Sequence, residues 1–116
     1  IILRAAFQTT FASPASIYNK MNSFNALRRE KQPLDYPSAG STFKRPPGHY
    51  AGQLIEQCGL KGRGVGGAKV SEKHAGFIIN YNRATAQDIL DTIDMVSRAV
   101  LKTFDIQLEP EVQILG

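Results

Sequence analysis

The segment from Thr85 to Phe104 constrains the fold of this chain more than any other. Its apolar residues recur at helical spacing, at Ile89, Ile93, Val96, Val100 and Phe104. Thr85 is followed three residues later by Asp88, a spacing typical of a capping box that fixes the start of a helix. A helix with one apolar face must bury that face against another layer of structure. The rest of the chain is therefore expected to supply that layer.

Short strands between turn-forming residues are predicted to form the layer that covers the apolar face of this helix. Residues 75–80 read as a buried strand. Phe43 lies in a short extended element between two turns, and the turn formers of residues 37–40 keep that stretch out of regular structure. The tail alternates apolar and polar residues over 106–114, where Pro110 permits only an edge or bulged strand.

Two further helices complete the predicted fold. Ser13 and Pro14 supply a cap and a first-turn proline for a helix that continues to Arg29. A second helix is expected over about residues 49–58, with Gly59 as its C-terminal stop. The predicted class is α+β, a small mixed sheet packed with two to three helices.

The length of 116 residues suits one domain with an added arm. Residues 1–8 read as a strand that enters from preceding sequence, and the helix after it reads as a linker. We therefore expect residues 1–32 to form a strand and linker helix, and residues 33–116 to form a compact domain.

The formal charge of +4 suits an anionic partner, which composition alone leaves open between nucleic acid, a membrane surface and a phosphorylated metabolite. Nucleic acid is disfavoured because no aromatic stacking pattern or known module accompanies the charge. No apolar run approaches the roughly 20 residues of a membrane helix. Cys58 is the single cysteine, so no intrachain disulfide can form, and cytoplasm is the expected compartment.

Several catalytic sites are disfavoured by spacing. His49 and His74 are far apart and no second cysteine exists, so we expect no metal. Ser41 and His74 lack the glycine pattern of a hydrolase nucleophile. The glycine-rich residues 62–67 lack the ending of a phosphate loop and more plausibly let a strand start and bend. A small anionic substrate held by Lys and Arg, with a hydroxyl and a carboxylate for proton transfer, is the option that stays open.

Four ordered motifs carry a family resemblance. They are YPSAGSTFKRPP at 36–47, AGQLIE at 51–56, GGAKVSEKHAGF at 66–77 and LEPEV at 108–112. In this order they resemble the UDP-N-acetylenolpyruvoylglucosamine reductases (UDP-N-acetylmuramate dehydrogenases), and the likeness is closest to the short-loop subtype. The resemblance implies the C-terminal, substrate-binding domain of a peptidoglycan-precursor enzyme, with residues 1–32 continuing from a missing FAD-binding domain.

The resemblance also implies the chemistry. NADPH reduces FAD, and hydride passes to the vinyl carbon of UDP-N-acetylglucosamine enolpyruvate, giving UDP-N-acetylmuramate. The serine of the family's Ala-Gly-Ser motif matches Ser41 as general acid, and the glutamate of its Glu-Pro-Glu-Val motif matches Glu111. Glu111 is expected to face away from the core. A serine hydroxyl needs a desolvated site with a neighbouring cation to act as an acid, and Lys44 or Arg45 is expected to supply it.

Further substrate contacts follow from the same resemblance. Lys31 matches a lysine that contacts the diphosphate, Arg45 matches an arginine of the subtype, and His74 matches a polar contact position. An arginine fork suits a carboxylate or a diphosphate. Gln113 departs from the pattern, since close relatives often carry arginine there.

Two hypotheses therefore stand. The preferred one is the substrate domain of a cytoplasmic flavoenzyme, inactive alone because the flavin site belongs to other sequence. The alternative is a stand-alone, non-catalytic module that binds nucleotide sugars or other anions, which the basic loops and the lack of a cofactor motif favour.

Overall fold

The structure is a computed structural model that describes residues 2–115. Its elements are α1 (Pro14–Lys31), β1 (Ser38–Ser41), α2 (Ala51–Gln57), β2 (Gly64–Val65), β3 (Ala68–Val70), β4 (Phe77–Asn80) and α3 (Ala86–Phe104). The chain divides into two units, residues 1–30 and residues 31–116. The α+β class and the three helices match the prediction.

Among the described residues of the first unit, the α1 helix is the only regular structure, and its last residue, Lys31, belongs to the second unit. Ser16 N donates to Ser13 Oγ (3.3 Å), so the predicted cap is present. Residues 2–13 form neither helix nor strand, and of the strand expected over 1–8, residue 1 lies outside the described residues. A strand needs a neighbouring strand to pair its backbone N–H and C=O groups. The described residues of this unit contain no such strand. None of the residues of α1 is buried.

The four strands form one sheet in the order β1-β4-β3-β2, in the second unit. Every pairing is antiparallel, whereas a mixed sheet was expected. The short links explain this: β2 and β3 are joined by two glycines and β3 and β4 by six residues, and a parallel pair needs a longer crossover. The register shifts between Ser38 and Ser41, which marks a bulge in β1.

The expectation that residues 37–40 lie outside regular structure was wrong. Ser38–Ser41 forms β1 and pairs with β4. Pro37 stands just before the strand, where the missing N–H costs nothing, and its carbonyl accepts a bond from Asn80 N (2.9 Å). Gly40 has a φ of +84°, which only glycine adopts readily and which accommodates the bulge.

The α3 helix covers the sheet as predicted. Thr85 and Asp88 form the complete capping box, and Ile93, Val96 and Val100 are buried. Asp88 also accepts a bond from Gly67 N (3.2 Å), which ties the β2–β3 hairpin to the start of the helix. Hydrogen bonds from the backbone N–H of Thr85, the larger cause, and of Gly67 stabilise the carboxylate and hold the pKa of Asp88 below its ordinary value of 3.8.

The α2 helix begins two residues later than expected, at Ala51, and contributes Ala51, Leu54 and Ile55 to the core. Gly59, with a φ of +67°, follows its end as predicted. Cys58 is half-buried beside this core. One core cluster joins α2, the sheet, α3 and the tail. Its members outside the two helices are Phe43, Ala68, Val70, Ala75, Ile78 and Leu108.

The predicted tail strand does not form. Residues 106–115 make only an isolated antiparallel bridge, between Phe43 and Pro110. Two backbone bonds flank it, Lys44 N to Glu109 O (2.9 Å) and Glu111 N to Thr42 O (2.8 Å). Pro110 is tolerated here because residues 43 and 110 form a non-hydrogen-bonded pair, in which the proline needs no N–H.

Candidate functional site

A cavity of about 460 Å³ opens at the side of the sheet where the tail crosses β1. Its wall combines the end of β1, the start of α2, the turn before β4 and the tail. The lining residues are Ser41, Phe43, Arg45, Tyr50, Ala51, Gly52, Gln53, Glu56, Lys61, Lys73, His74, Ala75, Gly76 and Glu111. Three cations and two carboxylates share this wall, so it suits an anion that brings hydrogen-bond acceptors.

The tail brings Glu111 to the same wall as Ser41. The bond from Glu111 N to the carbonyl of Thr42 places residue 111 beside the end of β1. Thr42 is itself buried and fixed, because its N donates to Gly76 O (2.9 Å) and its Oγ1 accepts from Ile78 N (3.1 Å). Ser41 and Glu111 also line a second, smaller recess together. Both residues are exposed, and Glu111 faces away from the core.

Lys44 and Arg45, the two cations expected beside Ser41, lie in different surroundings. Arg45 lines the cavity, where its guanidinium carbon lies 4.0 Å from the centre of the Tyr50 ring. Lys44 forms an ion pair with Glu109 and is absent from the lining among the described residues. Lys44 is turned toward the tail, because its backbone N also donates to Glu109 O.

The turn from Ser71 to Phe77 presents Lys73 and His74 to the cavity. The buried Oγ of Ser71 accepts bonds from Lys73 N and His74 N, both at 3.2 Å. His74 Nδ1 accepts from Gly76 N (3.1 Å), so in neutral His74 the proton lies on Nε2. The His74 ring also packs edge-on against Phe77, with centroids 4.9 Å apart. The turn therefore offers a hydrogen-bond donor of fixed tautomer.

Two glycines let the first turn of α2 approach that histidine turn. A Cβ on Gly76 would lie 3.0 Å from His74 Cε1. A Cβ on Gly52 would lie 3.3 Å from Gly76 N. Both distances are tighter than ordinary contact. A side chain at position 52 would push α2 away from the histidine turn, and one at position 76 would displace the His74 ring.

Sequence reasoning missed several cavity residues. Lys61 follows α2 and forms an ion pair with Glu56, also on the wall. Gln53 and Tyr50 come from the first turn of α2 and the residue before it. Both are exposed, but only the fold shows that the cavity lies beside them.

Lys31, the predicted diphosphate contact, ends α1 and is exposed. It is not part of the cavity wall within residues 2–115. Gln113 is exposed in the tail, and it too is outside that wall among these residues. Of the proposed site residues, the cavity thus gathers Ser41, Arg45, His74 and Glu111.

The glycine-rich run at 62–67 is a structural hairpin. A Cβ on Gly64 would lie 1.9 Å from Ala68 O, and one on Gly67 would lie 2.2 Å from Asn82 O. Gly66 takes a φ of +53° in the hairpin turn. These glycines serve close backbone packing, so the run does not fit the phosphates of a flavin nucleotide.

Residues 2–115 contain no cluster of three or more His, Cys, Asp or Glu side chains that could hold a metal ion. Within the same residues, no helix combines the length and apolar character needed to cross a membrane.

Comparison with known sequences decides the family. The family model of the UDP-N-acetylenolpyruvoylglucosamine reductase C-terminal domain matches residues 32–115. The chain belongs to this reductase family. The match includes every residue that the cavity gathers, and no comparison supports the alternative of a stand-alone binding module.

Curated relatives agree with this. UDP-N-acetylenolpyruvoylglucosamine reductases of Caldanaerobacter subterraneus subsp. tengcongensis and of Clostridium botulinum strain Hall are 55% and 53% identical to the chain over 116 residues. In both cases the whole chain is matched, and it spans 38% of the relative's length.

A solved reductase structure shares the fold of the chain. The UDP-N-acetylenolpyruvylglucosamine reductase of Thermus caldophilus matches with a TM-score of 0.67 at 35% sequence identity. The match covers 88% of this chain and 35% of the Thermus chain. The antiparallel sheet with its helices is thus the reductase C-terminal fold.

Proposed function

We propose that this chain is the substrate-binding part of a cytoplasmic flavoenzyme that reduces UDP-N-acetylglucosamine enolpyruvate to UDP-N-acetylmuramate for peptidoglycan synthesis. The observation that carries the proposal is the convergence of Ser41 and Glu111 on one cavity wall with Arg45 and His74. A hydroxyl, a carboxylate, a cation and a hydrogen-bond donor suit a proton transfer beside a substrate carboxylate.

The wall offers complementary charge to this substrate. Its carboxylate and diphosphate are anionic, and the cavity is lined by Arg45 and Lys73, together with Lys61, which is paired with Glu56. A guanidinium fork binds a carboxylate or phosphate by two parallel bonds, which orients as well as attracts. His74 adds an N–H donor fixed by the bond to Nδ1. Lys31, outside this wall, is proposed to meet the diphosphate from the end of α1.

A reduced flavin, itself reduced by NADPH, supplies the hydride in this proposal. The described glycine run does not fit that group, so the flavin is assigned to a preceding FAD-binding domain from which residues 1–32 continue. The exposure of Ile17, Met21 and Phe24 on α1, at 45%, 51% and 55%, suits a helix that other protein covers.

The chain's own part is proton transfer. Once hydride reaches the vinyl carbon, negative charge develops on the carbon next to the substrate carboxylate. Ser41 Oγ donates its proton to that carbon, and the alkoxide left on Ser41 must be stabilised. Arg45 is proposed for this role rather than Lys44, because Arg45 lines the cavity and Lys44 is paired with Glu109. Glu111 is the carboxyl group beside Ser41 for the same proton transfer.

Ser41 is exposed in this chain. A serine hydroxyl is a poor acid in water, so its proposed role requires that water leaves the site. Bound substrate and the flavin-bearing part of the protein are proposed to exclude that water. Proton donation by Ser41 therefore depends on the assembled site, and residues 1–116 are expected to be inactive alone.

The test compares purified residues 1–116 with a longer protein that includes the preceding sequence. The longer protein should be yellow, absorb as a flavoprotein and oxidise NADPH when the enolpyruvyl substrate is added. Residues 1–116 should be colourless and should not oxidise NADPH. Flavin retention with turnover by residues 1–116, or a longer protein without flavin, would overturn the proposal.

A further inference from the structure

Arg45 is held at the cavity by an aromatic residue that none of the motif assignments includes. Its guanidinium carbon lies 4.0 Å from the centre of the Tyr50 ring, a distance typical of a stacked cation–π contact. Both side chains line the cavity. Arg45 Nε donates to His49 O (3.3 Å), a second contact from the same loop.

The two partners differ in how firmly the backbone holds them. Tyr50 is the N-cap residue of α2, and its carbonyl accepts bonds from Gln53 N (3.1 Å) and Leu54 N (3.2 Å). Leu54 is a core residue, so these bonds tie the backbone of Tyr50 to the packed domain. Arg45 belongs to the irregular stretch before the helix. The ring is thus the anchored partner, and the arginine is the side chain that it orients.

These contacts also determine which edge of Arg45 faces a ligand. The Tyr50 ring covers one face of the planar guanidinium, and the His49 carbonyl takes the Nε edge. The two terminal nitrogens then form the edge that a bidentate anion meets. An unstacked arginine on a loop would sample many rotamers and lose more side-chain entropy on binding.

We propose that Tyr50 is a positioning residue, which stacks on Arg45 and holds its guanidinium fork toward the anionic group of the substrate. The inference rests on the proposed function, since it requires Arg45 to bind the substrate. Tyr50 acts through Arg45 and through the face of its ring. Its hydroxyl is not needed for this role.

The chain offers a matched control. Lys69 lies 4.8 Å from the centre of the Tyr81 ring, and neither residue lines the cavity within the described part of the chain. Tyr81 is 44% exposed and Tyr50 is 59% exposed, so both rings can be truncated without opening the core. Tyr81→Leu therefore removes a comparable cation–π contact away from the substrate.

The experiment measures steady-state reduction of UDP-N-acetylglucosamine enolpyruvate by the full-length enzyme carrying single and double changes. Tyr50→Leu should raise KM about two- to fivefold, the loss of one exposed cation–π contact. Tyr50→Phe keeps the stacking face and should restore the parent KM. Tyr81→Leu should leave KM unchanged. In an Arg45→Ala background, Tyr50→Leu should add almost nothing.

Equal KM increases for Tyr50→Phe and Tyr50→Leu would overturn the inference, because they would assign the effect to the hydroxyl. An undiminished effect of Tyr50→Leu in the Arg45→Ala background would also overturn it, while leaving Ser41 and Glu111 in their proposed roles. An unchanged KM for Arg45→Ala alone would remove the substrate contact itself, and the inference with it.

Discussion

At the scale of single residues, buried hydroxyl side chains hold in place the backbone of the exposed residues that line the cavity. Ser71 does not face the cavity, yet its hydroxyl accepts the N–H groups of Lys73 and His74, which do. Thr42 has the same relation to Ser41 and Glu111, through three bonds to β4, the histidine turn and the tail. The functional geometry is therefore set one layer beneath the surface.

Ser71→Ala tests this at one position. The change removes two part-buried hydrogen bonds, each worth about 0.5–1.5 kcal/mol, so stability should fall by about 1–3 kcal/mol. Urea unfolding gives that change, and the full-length enzyme should also show a raised KM. Ser23→Ala is the control, because Ser23 Oγ bonds Lys20 O on the exposed α1 helix. Equal stability of the two variants would contradict the role given to Ser71.

At the scale of elements, long periodic segments were predictable and short ones were not. The α3 helix and its cap followed from spacing alone, because apolar residues recur at helical spacing from Ile89 to Phe104 and a capping box marks the start of the helix. β1 was missed because its pairing depends on a partner strand 36 or more positions away, on a bulge and on a positive φ at Gly40. The tail alternates like a strand, yet its described residues make one isolated bridge and no strand.

The α3 cap predicts a pH dependence of stability. The pKa of Asp88 is lowered in the folded state by backbone bonds from Thr85 and Gly67, so ionised Asp88 stabilises the fold. The stabilisation should be fully present above the unfolded value, near pH 4, and lost as pH falls through the lower folded pKa.

Thermal unfolding of the parent and Asp88→Asn across that range measures the effect. The gap in Tm should be constant from about pH 7 to pH 5 and should shrink in acid below the unfolded pKa. Asp94→Asn breaks an exposed pair with Arg98 on the same helix and serves as the control. A gap for Asp88→Asn that widens in acid would show that the sign is wrong.

At the scale of the whole molecule, sequence motifs identified the family but could not predict which residues line the cavity together. Ser41, Arg45, His74 and Glu111 were named from their motifs, and the fold brings all four to one cavity. Lys44 was named with them, yet its place beside Glu109 depends on how the tail crosses the loop. Tyr50, Lys61 and Gln53 depend likewise on how the elements pack, so sequence spacing could not single them out.

The chain spans 38% of its curated relatives, so its site is proposed to be half of a larger one. The wall described here would bind the anionic substrate and deliver a proton, and the hydride would come from the part of the protein that precedes it. Proton delivery and flavin reduction are then separable steps, each carried by different sequence.

One measurement tests this division most directly: stopped-flow absorbance of the flavin in full-length enzyme carrying Ser41→Ala. Reduction of the flavin by NADPH should proceed at the parent rate. Reoxidation of the reduced flavin by the enolpyruvyl substrate should be slower by about 10²- to 10⁴-fold, the usual contribution of a general acid. Reoxidation at the parent rate would contradict the central claim that Ser41 donates the proton.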